Sequence, residues 1–352
     1  SRASRANMGL IWCQSKALGC PQFVRWGFAS SRAYGKLAAE LKELSGIDTG
    51  YAPTGGIIPC LGEAELEARA QFIEKLRAET EDGTYPASVL SRKELEGMLP
   101  KVPFGPEVSG GIWSDMDGYV DPLHLMFAFR KSFVRLGGTL FAGERVSEVK
   151  PSGKGYAVVC GGRTLECGKA VLAAGLGVRK LAAQLGTDIP VFPNKSQVML
   201  LERIPADVLP IPLLGIARTF GGTVMIGAAH ENMGMDRRLT PEVLAANAQW
   251  AVRVWPELER KRILRFWTGL RVWPKDAYPI YDRIPGHENA FVFAMHSAVS
   301  LAAILEQALP DYVMGKPLPP DGAIFGLSRF AGGGSGFQGS AASSPHAEAP
   351  NK

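Results

Sequence analysis

Between Val171 and Gly186 the chain reads VLAAGLGVRKLAAQLG. Three apolar residues, a turn carrying Gly175 and Gly177, and an amphipathic stretch from Val178 to Leu185 closed by Gly186 predict strand, tight turn and helix. Such a junction suits a dinucleotide pyrophosphate, because the first N–H groups of the helix lack partners and its dipole is positive there. Lys180 stands where the third glycine of a dinucleotide fingerprint would let helix and strand pack closely. The acid for a ribose would be Glu202, closing SQVMLLE, but Pro190 and Pro193 predict an irregular connection before it. On these residues alone the stretch reads either as a nicotinamide-dinucleotide site or as an ordinary strand–turn–helix.

Other chemistry is narrowed by composition. The five cysteines form no CxxC and no His-paired spacing, so no metal site is expected, and their odd number fits a reducing compartment. A net charge of +5 is spread along the chain, with basic residues clustering only around Arg260 to Arg262, which excludes a nucleic-acid partner. No apolar run approaches the roughly 18 residues that cross a bilayer, and no signal peptide opens the chain. His124 falls within a helical stretch, His287 in a PGHEN turn and His346 in the tail, and Tyr119 in DGYVDP reads as structural.

The elements that must position any site are legible by period and punctuation. Tyr34, Leu37, Ala38, Leu41 and Leu44 recur at helical spacing up to Gly46, and a second helix is predicted from Glu63 to Thr80. SRKELEGMLP opens with a capping box, Ser91 with Glu94, and Thr240-Pro241 starts another helix that stops before Pro256. YAVVC-GG-RTLEC and IARTF-GG-TVMIG predict two hairpins turned by glycine pairs. FVFAM, Phe291 to Met295, is a short buried strand with a helix from about Ser300. With 352 residues, 46% of them hydrophobic, the chain can bury a large core, and its mixture of strand–helix units and hairpins predicts a mixed α/β, α+β fold. After Phe330 the composition turns to Gly, Ala and Ser, predicting a disordered tail.

Five segments in this order, SRANMGLIW, GGIWSDMDGYVDPLHLMFAF, RVSEV with VLAAGLG, RFWTGLRVWPKDAYPIYD and FVFAMHSAVSLAA, resemble the FAD-dependent D-amino-acid oxidase/glycine oxidase superfamily, within it the amino-acid and opine dehydrogenase branch. The resemblance implies an FAD-binding Rossmann-like domain (residues 1–20, 120–190 and 269–330) interleaved with a substrate domain on an antiparallel sheet (21–119 and 191–268), with residues 331–352 as the tail. It also implies that a strand–GxGxxG–helix–strand–Glu unit precedes Ser1, so that the chain reads as N-terminally incomplete. Gly175 then becomes the second turn lining FAD, with Ala174 and Val146 beside it. Ser4, Arg5, Ala6 and Asn7 would approach the flavin, as would the turn His296, Ser297, Ala298, Val299 and Ser300, where Met295 and Ala298 replace the usual glycines and threaten to crowd the ring.

By the same resemblance Arg271 takes the place of the arginine that clamps the substrate carboxylate, a task its planar, always-charged fork suits. His230 and Tyr281 are candidate active-site liners, with a core or surface role as the alternative. Some relatives attach FAD through a cysteine in the segment matching LRVWPKD, and this chain has none there, so non-covalent FAD is expected. The expected function is oxidation of the C–N bond of an amino acid or N-substituted amino acid. The partners would be a small amino-acid-like substrate and a second dehydrogenase subunit or other electron acceptor. The rivals are a flavin-free remnant that binds a partner, and a nicotinamide dehydrogenase using the Gly175–Gly177 turn. The location implied is cytoplasmic, or peripheral at the inner membrane through a partner.

Overall fold

The computed structural model describes residues 3–227 and 229–331; of the sequence-predicted tail 331–352, residues 332–352, with His346, lie outside the described residues. Its backbone is organised by two long antiparallel strands, Val191–Arg203 and Ile263–Pro274, paired from Val191 opposite Pro274 to Leu201 opposite Ile263. Thr223–Gly227 and then Ile216–Arg218 extend the sheet on the far side of the first strand. A parallel bridge from Leu213 to Ile57 carries it on to Gly56–Leu61, Val108–Ser114 and Ser88–Ser91. Residues from 56–114 and 191–274 thus share one antiparallel surface. Its inner face, with Met199, Leu201, Val224 and Ile226, is covered by Trp250, Ala251 and Val254 of the helix Pro241–Val254. Each such side chain withdrawn from water contributes about 1.5–3 kcal/mol, which holds this layer shut.

The irregular connection expected at Pro193 is not there. Pro193 lies inside the long strand, opposite Val272. The outer edge of that strand is paired by Thr223–Gly227 only from Val198 onward and bridged at Lys195 by Glu231, so the missing proline N–H leaves no ladder bond unmade. The second glycine pair also differs from expectation. Gly161 and Gly162, at φ 54° and 80°, make the two-residue turn between Gly155–Cys160 and Arg163–Cys167. In the other hairpin the loop is four residues long, Thr219 to Gly222, and only Gly222 has positive φ, at 91°. Hydrogen bonds from Thr219 N–H to Thr223 O (2.7 Å) and between their hydroxyls (2.8 Å) close that loop, work the glycine pair was expected to do alone.

A smaller sheet aligns Ala170–Leu172 parallel to Ala290–Ala294, which pairs antiparallel with Ile280–Arg283. The strand–turn–helix read from the sequence follows: a tight turn at Gly175–Gly177, then the helix Val178–Ala183, with Gly186 at φ 74° beyond it. The long helix Pro21–Ser45 ends at Gly46, left-handed at φ 71°, and buries Tyr34, Leu37 and Leu41 against Leu125 and Ala128 of the helix Pro122–Arg135. Its Phe23, Trp26 and Phe28 join Phe291, Tyr281 and Phe325 in one core, although the sequence reading groups this helix with the substrate domain. The helix Glu63–Ala78 and the Ser91–Glu94 capping box form as expected. Thr240 precedes its helix, but its hydroxyl does not cap it; it donates to Glu231 Oε2 at 2.7 Å. Among the described residues no helix is long and apolar enough to cross a membrane.

Candidate active site

Arg271 lies directly across the two-strand ladder from Asn194, on the face it shares with Gly269 and Trp273. Its Nη1 donates to Asn194 Oδ1 at 2.9 Å and to Ala229 O at 2.8 Å, and its Nη2 donates to Ser196 Oγ at 2.8 Å. A guanidinium carries five N–H donors. Among the described residues Nε–H and one Nη2–H therefore keep no partner, which are the donors a carboxylate needs for a two-bond contact. Burial draws the guanidinium down to about 10, so it stays charged at neutral pH.

His230 belongs to the same cluster. Its Nδ1 sits 3.0 Å from Asn194 Oδ1 and 3.3 Å from Arg271 Nη1. The tautomer that hydrogen-bonds Asn194 Oδ1 carries its proton on Nδ1 and leaves the Nε2 lone pair free. Burial, reinforced by Arg271, lowers the ring to about 3. The Trp273 ring packs edge-on to His230, centroids 5.2 Å apart, and lies 4.5 Å from the ring of His296. His296 is also held well below its ordinary range, by burial first and then by Arg271, Lys16 and His230. One permanent cation, two neutral imidazoles and an indole thus form a cluster that can hold an anion and accept a hydrogen bond from its neighbour.

The lowered His230 value has a consequence for stability. The unfolded imidazole binds its proton below its ordinary value of 6.5, whereas the folded one refuses it until about 3. Stability contributed by the neutral ring is complete above that ordinary value and is lost as pH falls from there toward the folded value. Urea unfolding of the wild type and His230→Gln across this range should show a shallower decline in the variant; parallel declines would assign the acid sensitivity elsewhere.

Beneath this cluster the polar residues are locked together. Lys195 and Glu231 exchange both backbone hydrogen bonds, at 2.9 and 3.0 Å, and their side chains pair at 3.0 Å with 1% and 3% exposure. Lys195 Nζ also donates to Thr240 Oγ1, and Gln197 Nε2 donates to Glu231 Oε1 at 2.8 Å. The pairing fixes the segment that brings Ala229 O and His230 to Arg271.

The structure sorts the sequence-predicted residues. It brings Arg271, His230 and His296 together. Tyr281 does not join them: it is 1% exposed, packed on Phe293 and Phe325 with its hydroxyl 3.7 Å from Met295 Sδ, so the site-lining expectation gives way to a core role. Met295, expected to crowd the flavin, packs against that aromatic core. Ser300 and Val299 hold the turn: the Ser300 hydroxyl accepts from Trp12 N–H at 3.1 Å and donates to Leu10 O at 3.3 Å, while Val299 O accepts from Tyr34 at 2.9 Å. Ser297 and Ala298 are half-exposed, and Ser297 is left-handed at φ 63°.

The short helix Ala3–Ala6 lies on the strand Ile263–Pro274. A side chain at Gly269 would come within 2.6 Å of Ala6 Cβ, and Trp267 Nε1 donates to Ala6 O at 3.0 Å. Asn7 is spent locally, donating to Ser4 O at 2.7 Å and accepting from Gly9 N–H at 2.7 Å, and Arg5 is exposed. Val146 packs on the core formed by Leu172 and Val178, which also receives Val272. Ala174 is exposed, and Gly175, at φ 59°, would meet only a Val272 methyl at 3.4 Å if it carried a side chain. An exposed glycine turn, a left-handed serine turn and a small-residue N-terminal segment are surfaces a flat, phosphate-bearing cofactor can approach, and they fit FAD. The sequence missed Asn194, Ser196, Trp273 and the Lys195–Glu231 pair. The one signal for Asn194, Lys195 and Ser196 is polar NKSQ running straight into the apolar VMLL of the same strand.

The family model described as FAD dependent oxidoreductase matches residues 1–305. The chain belongs to this FAD dependent oxidoreductase family. An opine oxidase subunit of Agrobacterium tumefaciens (strain Ach5) is 33% identical over 330 residues, covering 94% of this chain and 88% of that protein. Glycine oxidase of Geobacillus kaustophilus (strain HTA426) is 25% identical over 339 residues, covering 94% of this chain and 88% of that protein. The crystal structure of glycine oxidase from Geobacillus kaustophilus superposes with a TM-score of 0.85 at 25% identity, covering 94% of this chain and 89% of that one. As a member of the FAD dependent oxidoreductase family the protein is an enzyme, an oxidoreductase that uses FAD, and its fold is that of these flavoenzymes.

Proposed function

We propose that this enzyme oxidises the C–N bond of an amino acid or N-substituted amino acid, of the D-amino-acid, glycine/sarcosine or opine type, to an imine that hydrolyses. The observation that carries the reading is the pair of N–H donors on Arg271 that keep no partner among the described residues, beside neutral His230 and the ring of Trp273. Arg271 holds the substrate carboxylate, while Asn194, Ser196 and the Ala229 carbonyl stop the guanidinium from turning away. Neutral His230 Nε2 accepts a hydrogen bond from the substrate N–H and turns the nitrogen lone pair toward forming C=N as the Cα–H departs. The resulting iminium releases its proton to solvent. Trp273 and His296 keep water from the reacting carbon. FAD, when bound, would lie against Ser4 to Asn7, Ala174, Gly175, Val146 and the His296 to Ser300 turn and would supply the hydride acceptor. Positioning supplies most of the rate in such a transfer.

Two relatives are named as subunits of an opine oxidase, which supports an opine-type substrate and delivery of electrons to a partner protein rather than to oxygen. The test is turnover by purified, FAD-loaded protein with glycine, sarcosine, D-alanine and an N-(carboxyalkyl) amino acid, with and without an artificial electron acceptor. Imine-derived carbonyl product that forms only with the acceptor, without hydrogen peroxide, is the expected result. Stoichiometric peroxide would make it an oxidase, and no product from any amine would overturn the reading.

A further inference from the structure

We propose that the exposed apolar and basic surface formed by residues 233–239 and 260–266 docks on an anionic phospholipid membrane. The proposal does not depend on which amine the enzyme oxidises.

Two segments apart in sequence build the surface. MGMDRRL, Met233 to Leu239, precedes the helix Pro241–Val254, and RKRILRF, Arg260 to Phe266, opens the strand Ile263–Pro274. Phe266 stands opposite Met199 and Thr268 opposite Gln197, at successive positions on one face of the sheet. Thr268 Oγ1 donates to Arg237 O at 2.7 Å, and Thr240 N–H donates to Gln197 Oε1 at 2.9 Å. The first segment therefore runs along that face beside Phe266. The helix covers Met199 and Leu201, yet Ile263, Leu264 and Phe266 stay in water together with Met233, Met235 and Leu239. Their exposure runs from 37% at Phe266 to 68% at Met235, a joined apolar patch rather than scattered single side chains.

Charge decides what covers the patch. Arg237, Arg238, Arg260, Lys261, Arg262 and Arg265 are interleaved with its apolar residues. The nearby acids are fewer: Asp236 pairs with Arg238 and Glu202 with Arg262, both at 2.9 Å, while Glu257 and Glu259 lie on the turn before Arg260. Arg260 and Arg265 are exposed and make no ion pair among the described residues, so the surface is positive. A guanidinium on a long aliphatic stem stays at headgroup level while the apolar side chain next to it enters the acyl boundary. Basic residues beside such side chains are drawn to anionic lipid. A second copy fits worse, because a two-fold contact sets this surface against itself, arginine facing arginine. The same charges guard the outer edge of the strand Ile263–Pro274, which is unpaired among the described residues. The basic run at Arg260 to Arg262, left without a nucleic-acid partner, thus gains a use. Met233 follows closely on Glu231, so the membrane would lie beside the segment that brings His230 to Arg271.

The test is co-sedimentation of the FAD-loaded protein with vesicles of phosphatidylcholine, alone or with about one third phosphatidylglycerol. Binding about tenfold or more tighter to the anionic vesicles is expected, and it should decline as sodium chloride is raised. Arg260→Gln with Arg265→Gln should abolish that preference. Met235→Ser with Leu264→Ser should weaken binding to the anionic vesicles by a similar factor. Phe127→Ser, which removes a 51% exposed ring from the helix Pro122–Arg135, should leave binding unchanged. Thermal unfolding of each variant verifies the fold. Absence of binding, equal binding to both vesicle types, or binding that neither double variant alters overturns the proposal. An equal loss with Phe127→Ser overturns it as well, since any exposed apolar side chain would then serve. A dimer in analytical ultracentrifugation that Met235→Ser with Leu264→Ser splits gives the face to a second copy and overturns it too.

Discussion

Arg271→Lys should raise KM for the amino-acid substrate by roughly a hundredfold to ten-thousandfold while the protein still folds and still binds FAD. That range follows from losing two charge-assisted hydrogen bonds at about 1.5–3 kcal/mol each. Lysine keeps the charge but has no planar fork, so it cannot hold a carboxylate by two parallel bonds and also answer Asn194, Ser196 and Ala229 O, all within 2.9 Å of the guanidinium. The loss should fall mainly on KM, because the carboxylate is bound equally in substrate and transition state. Steady-state kinetics over a wide substrate range decides it: a KM within a factor of about three of wild type would remove Arg271 from the substrate site.

Glu231→Leu should destabilise the fold by about 3–5 kcal/mol, because it leaves the Lys195 ammonium buried without its acid. The pair is 1% and 3% exposed, with Thr240 and Gln197 completing its hydrogen bonds, so no water replaces the lost carboxylate. Lys195→Met combined with Glu231→Leu should recover most of the loss, since two apolar side chains leave no charge stranded. Urea unfolding of the two variants measures both effects. A cost under about 1 kcal/mol for the single variant would mean the pair behaves like an exposed one.

What the sequence reveals and what it hides divide along a physical line. Ala170 to Gly186 is legible because strand, glycine turn and helix follow one another within a few residues, each marked by local chemistry. The helix ending at Gly46 and the capping box at Ser91 are legible for the same reason. Arg271 is reached through its motif. Its partners are not, because Asn194 stands 77 residues away and meets it only through the register of two long strands. No period in either strand announces that register. Pro193 misleads because a breaker in sequence becomes harmless at a strand edge, and Tyr281 misleads because a hydroxyl in an aromatic core has the same letter as one in a pocket.

The 77-residue separation between Asn194 and Arg271 also sets a clock on the ribosome. At roughly 5–20 residues per second, the strand carrying Asn194, Lys195 and Ser196 is made about 4–15 seconds before the strand that completes the ladder. During that interval an apolar ribbon with an unpaired edge waits at the tunnel exit, held on one side only once Thr223–Gly227 has arrived. The segment that forms the floor of the active site is thus an open template for wrong pairing until its partner strand is made.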